Sequence, residues 1–153
     1  MSGLEQLYQQ IIVDHYKHPH GRGLEAGEET SHQLNPVCGD EITLALRWDS
    51  AGQRVEAVAW EGAGCSISQA SASLLAALAE ESTGEGDPWT TDELTALIDE
   101  FREALRSRGT IPLDEERFSD AAALSGVSKY VARVKCAMLA WVAAEDLLQR
   151  RAV

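Results

Sequence analysis

The stretch EITLALRWDSAGQRVEAVAW, residues 41–60, decides the fold. Ile42, Leu44, Leu46 and Trp48 fall on alternate positions, the period of a strand with one buried face. Asp49-Ser50-Ala51-Gly52 carries turn chemistry, because short polar side chains and glycine accept the backbone angles of a tight reversal. Residues 53–60 then read as a second strand, and the pair as an antiparallel hairpin. A lone hairpin is marginal in water, so flanking segments must cover its apolar face.

Those flanks read as helices. Gly62-Ala63-Gly64 breaks the second strand, and a helix starts at about Ser66 with Ile67, Ala70, Ser71, Leu74, Leu75 and Leu78 on one stripe. At the N-terminus, Ser2 and Glu5 form a capping-box pattern. Leu4, Leu7, Tyr8, Ile11 and Ile12 then recur at helical spacing, until His18-Pro19-His20-Gly21 ends the helix. Residues 21–37 read as a loop with room for one short edge strand, and 82–90 as an acidic linker. Thr90 and Glu93 open a third helix carrying Leu94, Leu97, Ile98, Phe101 and Leu105. A connection around Gly109 to Pro112 leads on to a final helix from about Ser128 to Gln149, with Val131, Val134, Met138, Trp141 and Val142 inward. The expectation is one α+β domain over residues 1–153, a small antiparallel sheet of about three strands packed with about five helices.

Bulk properties narrow the function. The chain has 153 residues, enough for one domain with a real core. Its net charge of −12 argues against nucleic acid and against anionic membranes, both of which need a basic surface. No stretch approaches the roughly 20 consecutive apolar residues of a membrane span. The start Met1-Ser2-Gly3-Leu4-Glu5 lacks the basic and apolar runs of a secretory signal, so a cytoplasmic address is expected.

Three cysteines, Cys38, Cys65 and Cys136, are an odd and widely spaced set, unlike a disulfide framework. Cys38-Gly39-Asp40 sits in a loop before a strand, constrained by Pro36 and turned by Gly39. Cys65 opens a helix, where exposed amides and the helix dipole favour a thiolate. Cys136 lies within the last helix, near Arg133 and Lys135. Brought together with Asp40, the three thiolates make a set suited to Zn²⁺ or to iron with sulfide, and ill suited to Ca²⁺ or Mg²⁺. Arg133 and Lys135 are candidates to offset the resulting negative charge. Taken singly, each cysteine reads first as a small buried hydrophobe, and the spacings match no compact zinc finger. The residues alone leave both readings open. His15, His18, His20 and His32 show no convincing spacing to the cysteines and read as surface or capping residues. Trp48, Trp60 and Trp141 read as core. Ser66, Ser68, Ser71 and Ser73 lie in no Gly-x-Ser-x-Gly turn, which rejects a nucleophilic serine.

Three longer motifs go further: Asn35-Pro36-Val37-Cys38-Gly39-Asp40, Glu61-Gly62-Ala63-Gly64-Cys65-Ser66-Ile67-Ser68 and Ala132-Arg133-Val134-Lys135-Cys136-Ala137. With Leu7-Tyr8 and Asp14-His15-Tyr16, they closely resemble the IscU/NifU-like family, whose members assemble or supply iron–sulfur clusters. The resemblance implies a Cys–Asp–Cys–Cys metal site at Cys38, Asp40, Cys65 and Cys136. Scaffold-type members carry His directly before the last cysteine, where this chain has Lys135. The segment between Cys65 and Cys136 is also longer here, with the extra residues falling in about 84–108 as a helical insertion. Both features resemble the SufU-type branch, whose members bind zinc and accept sulfur from a cysteine desulfurase.

That likeness implies Cys38 as sulfur acceptor, a SufS-type desulfurase as donor and a Suf-type cluster scaffold downstream. Arg133 is implied in charge balance or partner contact. The insertion reads as a solvated helix face. Two rivals remain: a scaffold building a [2Fe–2S] cluster on the same ligands, and a metal-stabilised adaptor without sulfur chemistry.

Overall fold

A computed structural model describes residues 3–152, so the expected cap at Ser2 lies outside the described residues. The elements run α1 (Gly3–Lys17), β1 (Ser31–Asn35), β2 (Asp40–Trp48), β3 (Arg54–Ala63), α2 (Ser66–Gly84), β4 (Trp89–Thr90), α3 (Thr91–Leu105), α4 (Glu115–Phe118), a 3₁₀ segment (Ser119–Lys129) and α5 (Val131–Arg151). The sheet is antiparallel in the order β1-β2-β3-β4. This is the α+β fold expected, with β1 the short edge strand of the 21–37 loop.

The hairpin pairs Leu44 with Trp60 and Leu46 with Val58. Ile42, Leu44, Val55 and Trp60 are fully buried, and α2 and α5 cover the sheet. The period-two reading therefore selected the correct buried face. Four strands stand where about three were expected, because β4 has two residues and a two-residue strand has no period to read. Trp89 forms it, pairing with Val55 and burying its ring. The stretch read as a linker is thus part helix, since α2 runs on to Gly84, and part strand.

Thr90 caps α3 as expected, its Oγ1 accepting from the Glu93 amide at 3.1 Å. Leu94, Leu97, Ile98, Phe101 and Leu105 are all buried. Phe101 stacks on Trp141 of α5, with ring centroids 3.8 Å apart and planes 6° from parallel. The Trp141 indole N–H donates to Ser71 Oγ at 2.9 Å, and Ser71 donates to the Ala137 carbonyl at 2.6 Å. One face of the helix in residues 84–108 is therefore core, and only the opposite face is solvated.

Two expectations about helix faces need correction. Leu4 and Leu7 are exposed, while Tyr8, Ile11 and Ile12 are half-buried against the core. Among the described residues of α1, the buried one is His15, read as surface or cap from the sequence. Its Nδ1 lies 2.7 Å from Ser73 Oγ on α2, the same oxygen that accepts the His20 amide at 2.8 Å. The last helix begins at Val131 instead of Ser128, leaving Val131 exposed, because a 3₁₀ segment precedes it and Tyr130 breaks the helical geometry.

Candidate metal centre

Asn35 and Asp40 face each other across the β1–β2 reversal. The Gly39 amide donates to the Asn35 carbonyl at 2.8 Å, and the Val37 amide to Asn35 Oδ1 at 3.2 Å. Gly39 takes φ +72, an angle L side chains rarely adopt. The turn puts Cys38 on its exposed tip and Asp40 in the interior.

The second arm comes from the β3–α2 junction. Cys65 is the residue at the N-cap of α2, half-buried, with its amide donating to Asp40 Oδ1 at 2.7 Å. Its thiol donates to Asp40 Oδ2 at 3.4 Å. Gly64 makes this approach feasible. Its φ is +123, and a Cβ there would sit 2.7 Å from Asp40 Cα. Gln69 braces the junction by donating to the Gly64 carbonyl at 3.0 Å.

The third arm is Cys136, buried in α5 and approached by Asn35 Nδ2 at 4.0 Å. The candidate donor atoms of Cys38, Asp40 and Cys136 lie within 4.8 Å of one another. Cys65 stands outside that mutual set and joins it through Asp40. The four residues singled out from the sequence therefore meet at one end of the sheet. Among the described residues no histidine enters this cluster: His20 pairs with Glu80 and His32 with Glu41, both exposed.

The electrostatics follow from burial. Burial opposes ionisation of Asp40, but hydrogen bonds from Cys136, the Cys65 amide and the Cys65 thiol outweigh it. Arg133 adds its positive charge, and the carboxyl is held below the usual range. Cys136 is pushed the other way, first by burial and then by Asp40 and Cys65. A buried carboxylate amid thiols suits a thiophilic cation, which would draw off the thiol protons. Three sulfurs and one oxygen make a donor set of the kind that zinc and iron take. Arg133 is exposed and contributes to this field, whereas Lys135 lines a groove on the flank of α5.

Asn35 was not singled out for a role of its own in the sequence, although it stands at the head of a quoted motif. It is buried, orders the turn and points its amide at Cys136. An Asn before Pro at a strand end was the available signal.

Residues 7–137 match the model of the NifU-like N terminal domain. The chain is 37% identical over 144 residues to the zinc-dependent sulfurtransferase SufU of Bacillus subtilis, covering 94% of this chain and 90% of that protein. It is 35% identical over 152 residues to the iron–sulfur cluster assembly scaffold protein IscU of Streptococcus pyogenes serotype M1, covering 99% of this chain and 89% of that protein. The structure of a NifU-like protein (N-terminal) from Brucella abortus superposes with a TM-score of 0.76 at 25% identity, covering 97% of this chain and 96% of that one. No helix among the described residues is long and apolar enough to cross a membrane.

Proposed function

The chain belongs to the NifU-like N-terminal domain family, on the IscU/SufU side of it, and from that membership we propose that it is a zinc-dependent sulfur acceptor for iron–sulfur cluster biogenesis. The supporting observation is the graded exposure of its cysteines. Cys38 is exposed on a turn, Cys65 is half-buried at a helix start, and Cys136 is buried within a helix. The first is the most open of the three to a partner.

Cys38, Asp40, Cys65 and Cys136 would hold the metal. Zinc, when bound, keeps the coordinating thiolates deprotonated. Cys38 would be the sulfur free to turn outward from the four side chains, since its turn is held by the Asn35 contacts and Pro36, Val37, Cys38 and Gly39 are all exposed. Its thiolate attacks the outer sulfur of a persulfide carried by a cysteine desulfurase. The sulfur–sulfur bond of the donor breaks, the donor cysteine leaves as thiolate, and Cys38 becomes the persulfide. Asp40, Cys65 and Cys136 stay in place on β2, α2 and α5, and Arg133 offsets part of their negative charge. A downstream cluster scaffold receives the sulfur. The helix within 84–108 is a feature of the sulfur-accepting branch.

Incubation with a desulfurase and cysteine, followed by peptide mass spectrometry, tests the assignment. Added sulfur is expected on Cys38 alone; added sulfur on Cys65 or Cys136 overturns it.

The relative named a scaffold supports a second reading, in which the same four side chains ligate a [2Fe–2S] cluster. Lys135 stands where scaffold types carry His, which favours the first. Anaerobic reconstitution with iron and sulfide separates the two: a cluster spectrum that passes intact to an apo-acceptor, with no stimulation of the desulfurase by the zinc form, establishes the scaffold. A protein that keeps zinc and stability yet leaves the desulfurase rate unchanged, with no sulfur on Cys38, is the bare adaptor.

A further inference from the structure

A groove of about 660 Å³ runs along the flank of α5, between the turn carrying Cys38 and the C-terminal end of α3. Its apolar surface is unusually open: Leu34 is 53% exposed, Val131 63% and Val37 85%. Three large apolar side chains around one mouth are more than the scattered single residues normal for a surface.

The charge of the groove is opposite to that of the molecule. The chain has 25 acidic residues against 13 basic ones, yet Arg102, Arg106, Arg108 and Lys135 line the groove with Glu145 as the one acid. Glu145 is already engaged by Arg102 at 2.7 Å. Arg22, Arg47, Arg54, Arg117 and Arg150 are each paired with a carboxylate elsewhere on the surface. Among the described residues, Arg106, Arg108 and Lys135 have no ion-pair partner; Lys17, Lys129, Arg133 and Arg151 have none either, but the groove gathers three such cations around one apolar mouth. A local cluster of unmatched cations on an acidic protein attracts only a ligand small enough to sit inside it. Charges further off than about 8 Å are screened at physiological salt, so an acidic segment in the groove does not feel the net −12, while a nucleic acid or an anionic membrane does.

We infer that this groove docks an acidic segment bearing apolar side chains, displayed by the protein that donates sulfur to Cys38. The apolar side chains would cover Leu34, Val37 and Val131, and the carboxylates would meet Arg106, Arg108 and Lys135. The donor is favoured over the acceptor because one wall of the groove is Leu34–Val37, directly ahead of Cys38. Cys38 must part from Asp40 and Cys136 when it is loaded, and a body seated against Val37 acts on the turn at that step. An acceptor meets Cys38 after it has already left. This inference rests on the sulfur-acceptor reading and deepens it.

The test uses the full-length protein and its desulfurase. Arg106→Glu with Arg108→Glu changes two exposed residues remote from the metal ligands, and Val131→Ser removes part of the apolar mouth. Binding to the desulfurase is measured by calorimetry at low and high salt, beside zinc content and loading of Cys38 by a low-molecular-weight persulfide. The charge-reversed protein is expected to bind about tenfold or more weakly at low salt, with a flattened salt dependence. Val131→Ser is expected to weaken binding at both salt concentrations. Zinc content and loading by the small persulfide should match the parent protein. Unchanged affinity in both variants overturns the groove. So does normal desulfurase binding combined with lost binding of the downstream acceptor. Failure of the parent protein to take sulfur onto Cys38 from the desulfurase itself counts against the acceptor reading alone, and the affinities then still decide the groove.

Discussion

Asp40 and Cys65 are tied twice, by the Cys65 amide to Oδ1 at 2.7 Å and by the Cys65 thiol to Oδ2 at 3.4 Å. The start of β2 and the start of α2 therefore form one unit, fixed by protein hydrogen bonds. Cys38 on its turn and Cys136 on α5 are delivered to that unit from either side.

The close approach at Gly64 can be separated from its backbone angle. Gly64→Ala places a Cβ against Asp40 and should cost more than the roughly 1–3 kcal/mol of a strained backbone. Gly23→Ala is the control, since Gly23 has φ +127 with nothing within 4 Å of the added atom. Urea denaturation and zinc analysis should show both defects for Gly64→Ala and only a stability loss for Gly23→Ala. Equal losses and equal zinc contents in the two variants would show that contact with Asp40 is unimportant.

Zinc should support the native state, because a ligand held only by the folded chain adds free energy by mass action. Removal by a strong chelator is expected to lower Tm by about 5 °C or more. An unchanged Tm after verified metal loss would remove any structural role for the ion.

Cys136→Ser and Cys38→Ser should part company. The first alters a buried cysteine proposed to hold the metal and should lower zinc content and Tm together. The second alters an exposed turn residue, so the fold should survive while sulfur acceptance is abolished. Sulfur uptake by Cys38→Ser comparable to the parent protein would reassign the acceptor.

His15 gives the fold a sensitivity to acid. Burial chiefly, then the neighbouring His20, lowers its pKa against the opposing pull of Asp120, Asp14 and Glu80. The unfolded chain thus binds this proton more readily than the folded one. The contribution of His15 to stability is complete above its unfolded pKa of about 6.5 and drains as pH falls below it. Urea midpoints for the parent protein should fall as pH drops below about 6.5, and His15→Gln should flatten that slope. An identical slope in the variant would place the acid sensitivity elsewhere.

Phe101→Ala should cost about 3–5 kcal/mol, the usual penalty for emptying a buried aromatic site. The loss should spread to α5, because Phe101 stacks directly on Trp141. Tryptophan fluorescence during denaturation reads both effects. A cost near that of an exposed substitution would mean the helix in 84–108 is an accessory that the core does not need.

The legible parts of the structure are those with a repeating signal. Ile42 to Trp48 showed a period of two, Leu94 to Leu105 a helical period, and Thr90 with Glu93 a cap, and each is present where expected. Cys38, Asp40, Cys65 and Cys136 stood out through the motifs around them, and the structure brings them together. What escaped lacked a period. Trp89–Thr90 is too short to show one, and His15 is a polar residue on the buried side of α1, whose apolar Leu4 and Leu7 face outward. Lys135 could not be told from Arg133 by spacing, since which side of α5 faces the site depends on how α3 and β1 pack against it.

The two rims of the sheet carry a further consequence. β4 offers two residues of backbone, and β1 offers five before Pro36 stops it. β1 is also clasped from the side, through Ser31 to Asp146 at 2.7 Å and the Thr30 carbonyl to Arg150 at 2.9 Å. An open sheet margin is a template on which another chain can grow a strand, and fibrils elongate in that way. Here the margins are too short and too occupied to act as templates. The exposure of Leu34, Val37 and Val131 therefore does not come with a long free sheet margin on which a second copy could add a strand.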